Sequence, residues 1–179
     1  MSLRHAILVV LLEQEGTGYE IAKQFDGTLG YFWQATHQQI YKELSKLADE
    51  GFVTFKEIAQ SDKPTKKRYR VTPAGRAALL KWMREPTAAN VVKDPLLVKL
   101  FAGHLLKPGE MTAEIARERE RHRAQLERYL QIEKNYFAQT KSLSKAHQFA
   151  YFTLRGGIHY ERGWLKWADE VIKGLDGEE

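Results

Sequence analysis

Apolar residues recur at helical spacing in three short segments of the first fifty positions. This spacing predicts helices over residues 3–14, 19–25 and 36–50. Thr36 is the predicted N-cap of the third helix, and Gly51 is the residue that ends it. The apolar stripe of this helix is Ile40, Leu44, Leu47 and Ala48. Its opposite face carries hydrogen-bonding and basic side chains, namely Gln38, Gln39, Tyr41, Lys42, Ser45 and Lys46.

After the third helix the pattern changes to alternating polarity. Residues 52–56 and 68–71 are rich in β-branched and aromatic residues, which predicts two strands. The residues between them, 59–67, are polar and turn-rich, so we expect a hairpin with a flexible tip. Thr72 and Pro73 then supply the N-cap and first residue of a fourth helix. Helices followed by a two-stranded hairpin indicate a winged helix-turn-helix domain.

The second half of the chain is predicted to be entirely helical. A short helix over residues 96–106 precedes a long charged helix over residues 111–139, and a final amphipathic helix runs to Leu175. Two long helices joined by a short turn predict an antiparallel hairpin. Its apolar seam is too extensive to be buried within one hairpin, so we expect it to pack against a second copy of the chain.

The predicted fold class is therefore mainly α, with a two-stranded wing. We expect a winged helix-turn-helix DNA-binding domain over residues 1–85 and a linker over residues 86–94. A C-terminal antiparallel helical dimerisation domain is expected over residues 95–179.

Composition and charge narrow the class of function. The chain is 43% hydrophobic and has no cysteine, which fits a globular protein and excludes disulfides and thiolate chemistry. Its formal net charge is only +5, but the segment from Lys56 to Arg70 contains six basic residues and only two acidic ones. No apolar stretch approaches the roughly 20 residues needed to cross a bilayer, so we expect a cytoplasmic protein without membrane contact.

Residue types that commonly serve catalysis or metal binding do not form recognisable patterns in this sequence. The histidines lack zinc-ligand spacing, and Ile21 occupies the third glycine position of a dinucleotide-binding motif that would begin at Gly16. Acidic residues near Glu118 alternate with arginines, as on a solvated helix surface. We therefore expect neither an enzyme nor a cofactor or metal site.

The basic cluster and the third helix together favour double-stranded DNA as a partner. A helix fits a major groove about 12 Å wide. A basic hairpin tip suits phosphates or the adjacent minor groove. The wing residues expected to contact DNA are Lys63, Lys66, Lys67 and Arg68.

At the level of motifs the chain resembles the PadR family of bacterial transcriptional regulators and the related virulence-activator type. The resemblance covers nearly the whole chain. It is carried by Ala6 to Leu8, Gly18 to Ala22, Gln39 to Tyr41 with Leu44 and Leu47, Glu50 and Gly51, Tyr69 to Arg76, and Lys93 to Phe101.

The resemblance implies a homodimer that binds promoters, mostly as a repressor, through the N-terminal domain. By position it implies that Tyr41 and Lys42 contact the DNA backbone and that Gln38 and Gln39 lie near base edges, with Lys46 on the same face. In some members a small effector releases the DNA. No motif in this chain specifies such an effector, which therefore stays unknown.

Several alternatives stay open at this point. Tyr41 is also compatible with a half-buried helix residue, and the basic run with an ordinary solvated loop. The whole chain is also compatible with a small-molecule sensor whose cavity lies among the C-terminal helices. A protein-interaction adaptor on a winged-helix fold is a further alternative.

Overall fold

The computed structural model describes residues 3–26, 33, 35–59, 65–87, 93–138 and 144–177. The chain forms two compact units, Met1–Asn90 and Val91–Glu179. Within the described ranges, no helix is both long enough and apolar enough to cross a membrane.

The N-terminal unit packs four helices against a small sheet. Its elements are α1 (Leu3–Glu13), β1 (Gly16–Thr17), α2 (Gly18–Asp26), α3 (His37–Asp49), β2 (Val53–Ile58), β3 (Lys66–Val71) and α4 (Pro73–Arg84). The side chains buried at its centre come from every helix and from both longer strands: Ile7, Leu8, Leu11, Ile21, Ala22, Phe25, Ile40, Leu44, Leu47, Val53, Tyr69 and Leu79. The predicted helices and hairpin are thus confirmed. Of the predicted apolar stripe of α3, Ile40, Leu44 and Leu47 are buried, and Ala48 is partly buried.

The sheet has three antiparallel strands in the order β1–β3–β2, whereas we expected only two. Gly16 pairs with Tyr69, and Thr17 pairs with Arg68, which makes β3 the central strand. A two-residue strand has no sequence periodicity of its own. Only the pairing of residues some fifty positions apart along the chain creates it, so the sequence pattern did not predict it.

The wing strands are also longer than predicted. Ile58 pairs with Lys66, and Glu57 pairs with Lys67, so the ladder continues past both expected strand ends. The prediction that Lys66 and Lys67 belong to a flexible tip is therefore wrong. The predicted tip residue Lys63 lies outside the described residues.

A side-chain capping box begins α3, and a glycine in the left-handed conformation ends it. The Gln39 backbone N–H donates to Thr36 Oγ1 (3.2 Å), and the Thr36 N–H donates to Gln39 Oε1 (2.9 Å), which forms a capping box. At the other end Gly51 has a φ of +74°. Its N–H donates to the Ala48 carbonyl, and the Phe52 N–H donates to the Leu47 carbonyl. The predicted cap Thr36 and stop Gly51 are both confirmed.

The C-terminal unit consists of helices α5 (Pro95–Phe101), α6 (Glu110–Tyr136) and α7 (Lys145–Asp176). The predicted helix over residues 96–106 is shorter than expected, because a 3₁₀ turn, Gly103–Leu105, follows α5. Contacts from Thr112 to Asp176 and from Glu133 to Arg155 show that α6 and α7 run antiparallel, as predicted.

Close approach of α6 and α7 depends on a glycine. A Cβ at Gly157 would lie 2.9 Å from the ring of Tyr129, which is buried between the helices. The adjacent Gly156 has open space around it. Gly157 therefore permits the close approach of the two helices.

Gly75 permits the start of α4 to pack closely against Phe52, at the end of the turn between α3 and β2. A Cβ at this position would lie 2.0 Å from the Phe52 carbonyl oxygen, which accepts a hydrogen bond from the Thr72 N–H. We therefore expect Gly75→Ala to lower the free energy of unfolding by about 1–3 kcal/mol, as in other overpacked sites. Urea denaturation followed by circular dichroism measures this change.

The matched control is Gly174→Ala in α7, where an added Cβ meets nothing within 4 Å. That change should raise the free energy of unfolding by about 0.5–1 kcal/mol through helix propensity alone. An equal gain for both variants would contradict the close approach at Gly75.

Candidate nucleic-acid interface

Helix α3 divides into a buried stripe and an exposed face. Ile40, Leu44 and Leu47 are completely buried. All the residues expected on the DNA-facing side are exposed: Gln38, Gln39, Tyr41, Lys42, Ser45 and Lys46. From His37 to Lys42 this helix carries no acidic residue. Its N-terminal half therefore presents amide, phenol and ammonium groups to solvent.

The two glutamines that were expected near base edges are not equivalent. Gln39 Oε1 accepts the Thr36 N–H in the capping box, so this oxygen is occupied at the helix N-terminus. The amide of Gln39 retains N–H donors for a further partner. Gln38 is exposed and takes no part in this cap. The structure therefore makes Gln38 the freer of the two for reading a base edge.

Arg4 holds α3 against α1 from its solvent side. Its guanidinium donates two hydrogen bonds to the Glu50 carboxylate, both 2.9 Å long, and Nε donates to Glu43 Oε1 at 3.1 Å. These hydrogen bonds hold the pKa of Glu50 below its ordinary value. Lys46 Nζ lies 3.9 Å from the same Glu43. The sequence pattern does not indicate this role of Arg4, because no local signal marks contacts that span 39 and 46 residues.

Tyr41 lies against the first residue of α2. Its side chain is 44% exposed, and a Cβ at Gly18 would lie 2.3 Å from Cε1 of its ring. Burial raises the pKa of Tyr69, and the neighbouring Tyr41 adds to this shift. Tyr41 is thus half-packed and half-exposed. The absence of a side chain at Gly18 leaves room for the Tyr41 ring in this position.

The N-terminus of α2 connects this surface to the wing. The Thr17 N–H donates to Glu20 Oε2 at 2.7 Å, and the Glu20 N–H donates to Thr17 Oγ1 at 3.3 Å, a second capping box. This bond from the Thr17 N–H is the main cause of the lowered pKa of Glu20, with smaller contributions from Arg68 and Lys66. Arg68 Nη2 lies 3.8 Å from Glu20 Oε1.

The wing residues that were expected to act together lie on two faces of the sheet. Because side chains alternate along a strand, Lys66 and Arg68 share one face, and Lys67 projects from the other. Lys67 Nζ lies 4.2 Å from the centre of the Phe55 ring. The face of Lys66 and Arg68 also carries Lys56 and Arg70, which were not among the expected DNA contacts. The alternation within β3 was the available signal for Arg70.

Comparisons with known proteins identify similar chains and domains. The sequence profile of the PadR-like transcriptional regulator family matches residues 7–81, and that of the virulence activator alpha C-terminal domain matches residues 92–176. A probable transcriptional regulator of Mycobacterium tuberculosis, Rv1176c, is 36% identical over 98% of this chain and 98% of its own. The negative transcriptional regulator PadR of Bacillus subtilis is 31% identical over 97% of both chains.

Solved structures extend these similarities to the fold. The virulence activator AphA of Vibrio cholerae superimposes with a TM-score of 0.82 at 36% identity, covering 99% of this chain and 100% of that one. The Bacillus subtilis PadR chain in complex with operator DNA superimposes with a TM-score of 0.81 at 30% identity, covering 97% and 98% respectively.

A winged helix whose α3 has an exposed, acid-free N-terminal half, followed by a helical hairpin, defines a DNA-binding transcriptional regulator. The full-length similarities go further: the chain belongs to the PadR-like family and carries the C-terminal domain of the virulence-activator type. Since members of this family are transcriptional regulators, the expectation that the chain is not an enzyme is confirmed.

The contact between Gly18 and Tyr41 predicts that Gly18→Ala changes the free energy of unfolding in opposite directions in the presence and in the absence of the Tyr41 ring. In the wild-type background, Gly18→Ala forces the Tyr41 ring aside, and we expect the free energy of unfolding to fall by about 1 kcal/mol. In the Tyr41→Ala background the same change should raise it by a few tenths of a kcal/mol, because alanine favours a helix more than glycine. Urea denaturation of the four proteins measures both values. Additive effects would contradict the contact.

Proposed function

We propose that this regulator binds a pseudo-palindromic operator as a homodimer in the cytoplasm and represses transcription there. Each α3 enters a major groove, and each wing contacts phosphates. The observation that carries this proposal is the division of α3 into a completely buried stripe and an exposed, acid-free N-terminal half. Half-sites for a symmetric dimer of this kind lie about 34–36 Å apart, or at a multiple of that distance.

Each expected DNA contact on α3 has a specific role in this proposal. Gln38 reads a base edge, where an amide can both donate and accept. Tyr41, Lys42 and Lys46 contact the backbone and set the register of the helix. Gln39 mainly caps the N-terminus of α3 through its side-chain oxygen. Its amide N–H groups donate to DNA at the margin of the groove. These roles rest on exposure and hydrogen-bonding chemistry. The operator complex of the Bacillus subtilis relative supports DNA as the partner.

The proposal predicts sequence-specific binding to DNA from immediately upstream of the coding region. Fluorescence anisotropy with excess random competitor should detect competitor-resistant binding by the wild-type protein. Gln38→Ala should reduce the preference for the operator over random DNA by about 5- to 150-fold, which corresponds to about 1–3 kcal/mol for a lost base contact. In vitro transcription from the same promoter should fall when the protein is added.

Lys81→Gln provides the control, because Lys81 is an exposed lysine on α4 rather than on α3 or the wing. It should leave the operator preference unchanged. Equal affinity of the wild-type protein for operator and random DNA would overturn the proposed specificity. It would favour an adaptor or a purely electrostatic binder.

An exposed apolar stripe on α7 supports dimerisation through the C-terminal unit. Phe149, Phe152 and Tyr160 lie on one side of the helix and are between 63% and 66% exposed. Gly156 and Gly163 lie on the same side with open space around them, which permits close approach of another helix. Contiguous exposed aromatic residues of this kind mark interaction surfaces.

We therefore expect Phe152→Glu to weaken the dimer at least tenfold, since it places a charge in a desolvated contact. Sedimentation velocity across a dilution series measures the dissociation constant. Arg162→Glu introduces the same side chain on α7 outside this stripe and should leave the dimer intact. If the Phe152→Glu protein sediments like the wild type, the dimer interface does not include this stripe of α7.

A small-molecule effector is a second candidate property of the same regulator. The Bacillus subtilis relative has also been solved in complex with p-coumaric acid, and that chain superimposes with a TM-score of 0.79 at 29% identity. We propose that a phenolic acid releases this regulator from its operator. Addition of p-coumaric acid to the anisotropy assay tests this, with benzoate as the control. An operator affinity that neither acid alters would remove this candidate.

A further inference from the structure

Two glutamates flank Lys46, one of the proposed DNA contacts, along α3. Glu43 is the only acidic residue between His37 and Ala48, and Glu50 follows the helix as its C-cap. Lys46 lies three residues after Glu43 and four residues before Glu50. Residues at these separations are neighbours on a helix surface and form ion pairs readily. Lys46 therefore lies within reach of two carboxylates of its own helix.

Both carboxylates are bound by Arg4 of α1 instead. Arg4 Nη1 and Nη2 each donate to the Glu50 carboxylate at 2.9 Å, and Nε donates to Glu43 Oε1 at 3.1 Å. Lys46 Nζ lies 3.9 Å from Glu43 Oε2, which is longer than a hydrogen bond between an ammonium and a carboxylate. The side chain of Lys46 is 53% exposed. Arg4 therefore holds the short contacts with both glutamates, and Lys46 stays accessible.

Local helix preferences do not explain the position of Arg4. It lies in the first turn of α1, where the helix dipole disfavours a basic side chain and where this helix has no acidic residue. Hydrogen bonds to two carboxylates from another helix offset this cost. Because a guanidinium carries five N–H donors in a planar fork, one side chain can bind both carboxylates at once. The pKa of Glu50 reflects the same order of partners: hydrogen bonds from Arg4 lower it most, and the charge of Lys46 adds the least.

We propose that Arg4 is a positioning residue for DNA binding: it occupies the carboxylates of Glu43 and Glu50 and so leaves Lys46 available for a phosphate. This inference rests on the proposed function and adds to it a residue that does not contact DNA itself. Without Arg4, one of these carboxylates pairs with Lys46 on the helix surface. That pair removes a phosphate contact, and the other carboxylate then lies close to the DNA backbone, where like charges repel.

The test removes the guanidinium and then the carboxylates that it occupies. Arg4→Gln releases both carboxylates. The triple variant, defined as Arg4→Gln with Glu43→Gln and Glu50→Gln, removes them as well. The affinity of each protein for the upstream operator and for a random duplex is measured by fluorescence anisotropy between about 50 and 300 mM salt. Circular dichroism verifies that each variant is folded.

Arg4→Gln should bind both duplexes about tenfold more weakly at about 50 mM salt, because Lys46 leaves its phosphate and a carboxylate lies near the backbone. Its plot of log affinity against log salt should be shallower by about 0.9 for each Lys46 that no longer contacts a phosphate. The triple variant should recover the wild-type affinity and slope, although it also lacks Arg4. If Arg4 served only to hold α3 against α1, the triple variant would stay as weak as Arg4→Gln, because it too lacks every bond between Arg4 and α3.

Two controls separate this effect from a change in net charge. Lys81→Gln removes one positive charge from an exposed position on α4, as Arg4→Gln does from α1, and should retain the wild-type salt slope. Arg4→Gln with Glu13→Gln and Glu85→Gln has the same net charge as the triple variant but keeps the two carboxylates that Arg4 binds. Glu13 and Glu85 are exposed and lie outside α3 and the wing. This control should therefore bind DNA less tightly than the triple variant.

Failure of this proposal and failure of the proposed function give different results. If the wild type binds operator and random DNA equally, the proposed specificity fails, and the random duplex still tests Arg4, because phosphate contacts do not depend on sequence. An Arg4→Gln protein with wild-type affinity and slope, or a triple variant as weak as Arg4→Gln, overturns the role of Arg4.

A second measurement needs no DNA. Acylation of Lys46 by acetic anhydride is quantified by mass spectrometry. Because pairing with a carboxylate keeps an amine protonated, Arg4→Gln should slow this reaction severalfold, and the triple variant should restore its rate. An acylation rate that Arg4→Gln leaves unchanged would also overturn the proposal, whether or not the wild-type protein binds a duplex.

Discussion

Burial of one stripe of α3 is the constraint on which the N-terminal unit depends. Ile40, Leu44 and Leu47 are completely buried, and each side chain of this size contributes about 1.5–3 kcal/mol when it leaves water. The stripe packs against α1, α2 and β2, so it fixes the rotation of α3 about its own axis. Once that rotation is fixed, the polar side chains on the opposite side must face solvent. The candidate DNA contacts are thus placed by the core.

Backbone geometry at a few positions determines how tightly the elements close around that stripe. The capping boxes at Thr17 and Thr36 begin α2 and α3 at defined residues, and Gly51 turns the chain from α3 into the wing. Gly18 and Gly75 have a different role, because each leaves room for a neighbouring group, the Tyr41 ring or the Phe52 carbonyl. The position of the candidate DNA-contacting residue Tyr41 therefore depends on the absence of a side chain at Gly18.

The candidate site was only partly predictable, and the reason differs between its two halves. On α3 the helical period alone assigned Gln38, Tyr41, Lys42 and Lys46 to the exposed face, since a buried stripe leaves no other choice. On the wing, the expected group of Lys66, Lys67 and Arg68 was divided between two faces. The sequence pattern located the strands but ended them too early. The alternation that separates Lys66 from Lys67 therefore lay outside the predicted strand.

The sequence by itself determined the order of the helices and strands, the buried stripe and the caps, because each depends on periodicity or on neighbouring residues. Only the tertiary structure decided the third strand, the hydrogen bonds from Arg4 to Glu43 and Glu50, and the division of the wing lysines between two faces of the sheet. The pairs Gly16–Tyr69 and Arg4–Glu50 join residues far apart in the chain. Such contacts leave no local signature, because their free energy is gained only after the chain has closed around its core.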